Sequence, residues 1–194
     1  MHKGRMWVII GVCLIISAGI LTGRNMLDGY RKQEISESVV QQLDIVSQDV
    51  ISNEILMTTG FNVEMPEKDV DGNMYIGTIT IPALSLELPV LSNWSDAGLW
   101  ISPARYTGSA YTDDMILCAH NSYSHFGYLY WLNTDDTVIF TDVDGNVFEY
   151  ALFEKLIIDE NDVEQLKEGD WDLTLFTCTF DGLQRRVFRF DRID

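Results

Sequence analysis

The N-terminal part of the chain contains one long apolar run without a charge. Residues 7–22 read WVIIGVCLIISAGILT, and basic residues flank the run on both sides. At about 1.5 Å of rise per residue the run falls just short of the ~20 residues that comfortably span a bilayer, and flanking arginines can make up the difference. A cleaved signal peptide needs small residues after the run, whereas Ser17-Ala18-Gly19 lies inside it. Residues 1–24 are therefore predicted to be an uncleaved membrane anchor.

An amphipathic helix of roughly six turns is predicted over residues 34–57. Its apolar positions recur at spacings of three, four or a multiple, at Ile35, Val39, Leu43, Val46, Val50 and Met57. We expect this helix to pack on the following domain or to act as a stalk, and a partner-binding helix is the alternative. Residues 25–60 form the predicted helical stalk, and residues 61–73, with Pro66 and Gly72 among acids, form the predicted linker.

From residue 74 the pattern changes to short runs rich in β-branched and aromatic residues, separated by turn residues such as Asp144-Gly145-Asn146. The predicted strands are 74–81, 86–91, 115–119, 137–141, 147–158, 173–178 and 186–190. One weak helical patch lies at 162–167. This pattern predicts a mainly β domain over residues 74–194, folded as a closed or nearly closed barrel.

The charge of the chain is strongly negative and unevenly distributed. The 194 residues carry 13 basic and 30 acidic side chains, a net charge of −17. Residues 1–32 hold five basic residues and one acid, which leaves 8 basic and 29 acidic residues and a net of −21 for the remainder. This body cannot neutralise a run of phosphates, so nucleic acid is excluded as a partner. The basic head and acidic body indicate different surroundings for the two parts.

Cysteines are too few for a disulfide framework. Cys13, Cys118 and Cys178 form no C-x-x-C pair, so structural zinc is not expected either. Cys118 is predicted to be a small buried residue, and a regulatory disulfide with Cys178 is the alternative. The segment 142–146 resembles the start of a calcium loop, but its glycine stands at the fourth position rather than the sixth, so a hairpin turn is predicted there.

Cys178 and Arg185 are candidates for nucleophilic chemistry. Cys178 ends a predicted strand and Arg185 begins the next, so a hairpin brings the two side chains within reach. A guanidinium stabilises a thiolate and a developing oxyanion, although a cysteine at a strand end can equally be an apolar filler. The neighbouring Arg186 shares a strand face with Phe188, which is typical of core, so Arg185 is predicted to face the groove.

A cysteine nucleophile also needs a group that transfers protons near neutral pH. His120 directly follows the predicted strand 115–119, whereas His125 lies inside a loop, so His120 is the better candidate. Both histidines could instead be structural hydrogen-bonding residues.

Together these motifs resemble the sortases, the cysteine transpeptidases of Gram-positive cell surfaces. LTLFTC at 173–178 is similar to their TLxTC signature, and ILCAHN at 116–121 is similar to their strand that ends in a catalytic histidine, with Ala119 in place of the usual glycine. SHFG at 124–127 is similar to the family's segment after the histidine, and RRVF at 185–188 is similar to its last strand, which begins with an arginine. The resemblance extends from about Tyr75 to the C-terminus, in the family's order.

The resemblance implies a sortase-like eight-stranded β-barrel, preceded by the transmembrane helix and the stalk. Cys178 would attack the Thr–Gly carbonyl of an LPxTG-like sorting signal and form a thioacyl-enzyme. His120 would transfer protons, and Arg185 would bind the carbonyl or the oxyanion. Substrate-binding positions are expected at Thr177, Asn121 and Arg105. For Arg105, pairing with a carboxylate is the favoured interpretation and the substrate contact is the alternative.

The implied partners are surface proteins with a C-terminal sorting signal and an amine acceptor, either of the cell-wall precursor or of a pilin. Neither an organic cofactor nor a metal site is expected. The protein is expected to cross the cell membrane once, with a cytoplasmic N-terminus and an extracellular catalytic domain. Two alternatives remain: a pilus-assembling sortase, which the end of the chain directly after the last strand disfavours, and a non-catalytic anchored binding barrel.

Overall fold

One continuous helix, α1, forms the N-terminal part of the chain and extends over His2–Ser47. The structure is a computed structural model that describes residues 2–47 and 64–194. The stretch Met6–Arg24 has a mean hydropathy of 2.3 and none of it is buried. Its length and composition fit a membrane anchor. By its internal contacts the chain divides into two units, residues 1–35 and 36–194.

In the second unit, the C-terminal turns of α1 pack on the β domain. Val39, Val40 and Leu43 are buried. Val39 and Leu43 belong to an apolar cluster with residues of five strands and one turn of the β domain, which we call the outer cluster (Val39, Leu43, Val70, Tyr75, Leu91, Ala104, Cys118 and Val143). The predicted helix is thereby confirmed up to Ser47, as is its packing on the following domain. The remainder of that prediction, to Met57, lies outside the described residues.

The β domain contains nine strands in the described part of the chain. Their bounds are β1 Lys68–Val70, β2 Asn73–Ile81, β3 Leu86–Leu91, β4 Ala104–Thr107, β5 Met115–Cys118, β6 Thr137–Asp142, β7 Val147–Asp159, β8 Leu173–Cys178 and β9 Gln184–Arg192. The strand order is β1-β2-β3-β4-β5-β8-β9-β7-β6, and β2 also pairs with β6. This additional pairing closes β2 to β9 into an eight-stranded barrel, which confirms the predicted fold.

Two short strands were not expected from the sequence. β1 lies within the predicted linker and pairs with the start of β2, with Lys68 opposite Tyr75. β4 pairs with β5, with Ala104 opposite Cys118. Strands of three and four residues are too short to display a period of two, so only their pairing partners define them. Helix α2, Val163–Lys167, coincides with the weak helical patch.

The barrel interior is filled by large apolar side chains from almost every strand. Phe140, Phe188 and Phe190 are among the most deeply buried. At the β6–β7 turn the buried Asp142 carboxylate accepts hydrogen bonds from the backbone N–H of Asp144 and Asn146, both at 2.9 Å. The predicted hairpin turn is therefore confirmed, and the carboxylate organises it.

Barrel closure requires a glycine at position 77. Gly77 lies at the irregular point of β2, has φ +155°, and stands opposite Asp142 of β6. A Cβ at this position would lie 2.1 Å from the Thr141 carbonyl oxygen and 2.7 Å from the Asp142 Cα. Since both atoms belong to the backbone, β2 and β6 could accept a side chain only by separating.

We expect Gly77→Ala to lower the free energy of unfolding by about 2–3 kcal/mol, because the added methyl group forces apart the strands that close the barrel. Gly72→Ala is the matched control, since Gly72 also has a positive φ, +81°, but has open space around it, and should lose only about 1 kcal/mol. Thermal unfolding of the full-length chain in detergent measures both. Equal destabilisation by the two variants would contradict this role of Gly77.

Candidate active site

Three chemically active side chains lie at the ends of three adjacent strands. β5 is parallel to β8, and Cys118 pairs with Phe176. The pairing continues beyond β5, because Ala119 N–H donates to the Phe176 carbonyl oxygen at 3.3 Å and the Thr177 hydroxyl donates to the Ala119 carbonyl oxygen at 2.8 Å. One further step along this register places His120 beside Cys178.

On its other side, β8 pairs with β9 in antiparallel fashion and Cys178 stands opposite Arg185. His120, Cys178 and Arg185 therefore form a row across β5, β8 and β9, whose neighbouring strands are about 4.8 Å apart. All three side chains line one cleft of about 350 Å³. The predicted grouping of these three residues, with Arg185 on the groove side, agrees with this geometry.

The cleft has an apolar wall and a charged rim. Its apolar residues come from β4, β7, α2, β8 and the loop before β4 (Leu99, Tyr106, Ile158, Val163, Leu166 and Phe176). Carboxylates of Asp96, Glu160 and Asp162 lie at the rim. Asp162 is the N-cap of α2, and its Oδ1 accepts a hydrogen bond from the Gln165 backbone N–H at 3.0 Å. An extended peptide with apolar side chains fits such a groove.

His120 is fixed at its backbone and packed at its ring. Its carbonyl oxygen accepts hydrogen bonds from the N–H groups of Ser122 at 2.9 Å and Phe126 at 3.2 Å. The imidazole centroid lies 4.6 Å from the Trp100 ring and 6.3 Å from the ring of His125. His125 is only 2% exposed and packs inside the domain, whereas His120 opens onto the cleft.

The guanidinium of Arg185 has several acceptors. Its Nη2 lies 3.5 Å from a carboxylate oxygen of Glu160, and its Nη1 donates to the carbonyl oxygens of Gly182 and Gln184, each at 3.3 Å. Arg186 points to the opposite face, where its guanidinium carbon lies 5.7 Å from the rings of both Tyr130 and Phe180. The two adjacent arginines thus occupy different environments, which allows their roles to be separated by mutation.

The three predicted substrate-binding residues have different positions. Thr177 lines the cleft, but its hydroxyl is committed to the Ala119 carbonyl and ties β8 to β5. Asn121 is half-buried at the start of the turn after His120. Arg105 lies in a separate cavity of about 630 Å³ and is 3.5 Å from Glu67. The expected pairing of Arg105 with a carboxylate is therefore confirmed, and its neighbour Tyr106 lines the cleft.

Cys118 is a buried thiol in the lining of the cleft. Its Sγ donates to the Ala104 carbonyl oxygen at 3.5 Å, and burial raises the pKa of this thiol to about 12. Both Cys118 and Cys178 are free. Cys118 pairs with Phe176 rather than with Cys178, and diagonal neighbours on paired strands are about 7–8 Å apart, which is too far for a disulfide without backbone movement. The prediction of a buried small residue is confirmed.

Two residues next to the three active side chains were not singled out by sequence reasoning. Trp100 packs on His120, and its loop has no periodicity that would relate the two residues. Glu160 follows β7 in an acidic stretch where no single carboxylate is distinctive.

Among the described residues, no group of three His, Cys, Asp or Glu side chains is placed to hold a metal ion.

The arrangement is suited to acyl transfer. A thiol can attack a carbonyl, an imidazole can exchange protons with the leaving and entering groups, and a guanidinium can stabilise the negative charge that develops on the carbonyl oxygen.

Comparisons with known proteins agree with this chemistry. The Sortase domain family matches residues 79–191, which is more than half of the chain. Sortase A of Bacillus anthracis is 26% identical over 189 residues, covering 92% of this chain and 89% of that protein.

Solved structures share the fold. Sortase C-3 of Streptococcus pneumoniae superposes with a TM-score of 0.58 at 21% identity, covering 87% of this chain and 84% of that one. A lid mutant of sortase A from Corynebacterium diphtheriae superposes with a TM-score of 0.55 at 18% identity, covering 81% and 93%.

We expect iodoacetamide at neutral pH to modify Cys178 at least 100-fold faster than Cys118. Cys178 opens onto the cleft, whereas burial and a pKa near 12 keep Cys118 protonated and inaccessible. Peptide-level mass spectrometry of the full-length chain quantifies each cysteine separately. Unfolding in guanidinium is the control and should make the two rates similar. Comparable modification of both cysteines in the folded protein would contradict the geometry.

Proposed function

The chain belongs to the sortase family of cysteine transpeptidases, and on this premise we propose that it joins proteins bearing an LPxTG-like sorting signal to an amine of the cell-wall precursor. The observation that carries the proposal is the row of His120, Cys178 and Arg185 across three strand ends at one cleft. In this proposal α1 anchors the enzyme in the cell membrane, with a cytoplasmic N-terminus and the barrel outside.

In the first half-reaction the Cys178 thiolate attacks the threonine carbonyl carbon of the sorting signal. The C–N bond to glycine breaks, and the protonated imidazole of His120 gives its proton to the leaving amine. The product is a thioester between Cys178 and the substrate threonine. Splitting acyl transfer in this way replaces one difficult step with two easier ones.

Arg185 is proposed to stabilise the oxyanion of each tetrahedral intermediate. Its position opposite Cys178 in the register supports this role, since the attacked carbonyl must lie next to Sγ. In the free enzyme the guanidinium faces Glu160 at 3.5 Å. The pair is partly exposed, so solvent weakens it and a substrate carbonyl can compete for the guanidinium.

In the second half-reaction the acceptor amine attacks the thioester carbonyl. Neutral His120 takes the proton of the entering amine, the C–S bond breaks, and the Cys178 thiolate is restored. Amines are protonated in water, and the strongly acidic body attracts such cations to the surface. Transfer rather than hydrolysis requires the cleft to favour the amine over water.

Peptide cleavage by the full-length chain in detergent tests the reaction class. We expect a quenched LPxTG-type peptide library to yield at least one cleaved sequence and an acyl adduct of Cys178 that intact-mass analysis detects. Cys178→Ala should abolish both, because Cys118, the other thiol that lines the cleft, is buried and stays protonated. A folded wild-type protein that binds such peptides equally well with and without Cys178 and forms no adduct would instead support a non-catalytic binding barrel.

The acceptor is identified by adding amines to the same reaction. Triglycine represents a cell-wall acceptor, and a lysine-containing peptide represents a pilin acceptor. We expect transfer to triglycine to exceed transfer to the lysine peptide. The opposite preference would favour a pilus-assembling enzyme.

Arg185→Ala should lower kcat by about 100- to 1,000-fold, because it removes the donor that stabilises the oxyanion. Arg186→Ala is the matched control. It removes the neighbouring guanidinium, which contacts the rings of Tyr130 and Phe180, so it should lower thermal stability while kcat changes less than threefold. Steady-state kinetics with the best peptide measure both. A larger loss of kcat in Arg186→Ala than in Arg185→Ala would contradict the assignment.

A further inference from the structure

An exposed tryptophan lies against the imidazole of the cleft. Trp100 is 64% exposed, yet its ring centroid is 4.6 Å from that of His120, with an angle of 49° between the ring planes. Leaving a large aromatic side chain in water forgoes the stabilisation that its burial would provide. An exposed indole with one specific ring neighbour therefore points to a local role.

The backbone that presents Trp100 is held in place. Gly98–Trp100 form a single 3₁₀ turn in which Trp100 N–H donates to the Ala97 carbonyl oxygen at 3.3 Å and Ile101 N–H donates to that of Gly98 at 2.8 Å. The turn begins with a hydrogen bond from Gly98 N–H to the Ser95 hydroxyl at 3.0 Å. A Cβ at Gly98 would lie 2.9 Å from that oxygen, so a larger residue there would have to displace the Ser95 hydroxyl.

The flanking residues fasten the turn to the barrel. Leu99 packs on the outer cluster, and the buried hydroxyl of Ser102 donates a hydrogen bond to the Pro89 carbonyl oxygen. The position of the indole is therefore determined by the domain around it.

An indole at this distance acts on an imidazole in two ways. The negative face of the ring attracts a cation within about 6 Å of its centroid, so it favours the imidazolium over the neutral imidazole. The ring also occupies space through which water would otherwise reach His120. A proton donor to the leaving amine must be an imidazolium, and an imidazolium beside a thiol also favours the thiolate.

We propose that Trp100 is a positioning residue that holds the His120 imidazolium in the cleft next to Cys178. The benefit of this role to catalysis rests on the proposed function. The effect of the indole on the imidazole and the thiol is independent of any substrate. The other titratable groups that line the cleft are Cys118, Cys178, Asp96, Tyr106, Glu160, Asp162 and Arg185, and His125 lies 6.3 Å from His120. Variants at Trp100 leave all of them in place.

The test compares Trp100→Phe and Trp100→Leu with the wild type, using the full-length chain in detergent. Phenylalanine keeps an aromatic face, whereas leucine keeps apolar bulk without one. Trp131→Ala is the control for loss of an exposed indole, since Trp131 is 61% exposed and packs on Tyr130, at 4.4 Å, rather than on His120. Two quantities are measured: the rate of Cys178 alkylation by iodoacetamide as a function of pH, and kcat and KM for the cleaved peptide.

In Trp100→Leu we expect the midpoint of the alkylation profile to move up by about half to one pH unit, because the imidazolium that supports the thiolate is less favoured. We expect kcat to fall up to about tenfold while KM changes less than twofold. In Trp100→Phe the alkylation midpoint and kcat should both stay close to their wild-type values. Trp131→Ala should match the wild type in both quantities.

The proposal is overturned if Trp100→Leu leaves the alkylation midpoint where it is in the wild type, or if phenylalanine and leucine behave alike. A rise in KM without a change in kcat or in the midpoint would also overturn it, since Trp100 would then contact substrate rather than His120. If the wild type cleaves no peptide, the proposed function fails, but the alkylation profiles still decide the role of Trp100.

Discussion

The site depends on the backbone register of β8 with its two neighbours. Parallel pairing with β5 sets Cys118 beside Phe176, and antiparallel pairing with β9 sets Cys178 opposite Arg185. Because the register of a strand is shared by all its residues, a shift by one position would turn Cys178 to the barrel interior and move Arg185 out of line. The buried Thr177–Ala119 hydrogen bond and the filled barrel interior hold this register.

The same register explains how far the sequence could predict the site. Cys178 and Arg185 are joined by a short hairpin, so their juxtaposition follows from local pattern and alternation. His120 lies far from Cys178 in the sequence, and it was grouped with Cys178 by the chemical need for a proton-transfer partner and by resemblance to a family. No local pattern specifies a parallel pairing between β5 and β8, because it depends on the whole barrel closing.

The hydrophobic and polar pattern of the sequence could not predict the roles of residues that depend on a loop conformation. Trp100 reaches His120 because a 3₁₀ turn directs it there. The carboxylate partner of Arg105 could not be identified in advance, because Glu67 lies in a segment predicted to be a linker. The long strands and the amphipathic helix were predicted well, since each repeats its period several times. β1 and β4 were missed because they are stabilised by their neighbours rather than by their own sequence.

The outer cluster relates the N-terminal helix to the cleft. It contains Val39 and Leu43 of α1 together with Cys118, and Leu99 packs against it. The side of the domain that receives the helix is therefore also the side that supports the loop carrying Trp100. In this respect the C-terminal turns of α1 are part of the catalytic domain and stabilise the wall of its cleft.

The proposed mechanism is tested most directly by the structure of the full-length chain with a sorting-signal peptide covalently attached to Cys178. In that structure we expect the peptide in the cleft, its carbonyl oxygen within hydrogen-bonding distance of the Arg185 guanidinium, and the His120 imidazole beside the sulfur. An adduct in which Arg185 stays on Glu160 while another group binds the carbonyl oxygen, or in which His120 lies away from the sulfur, would contradict the mechanism.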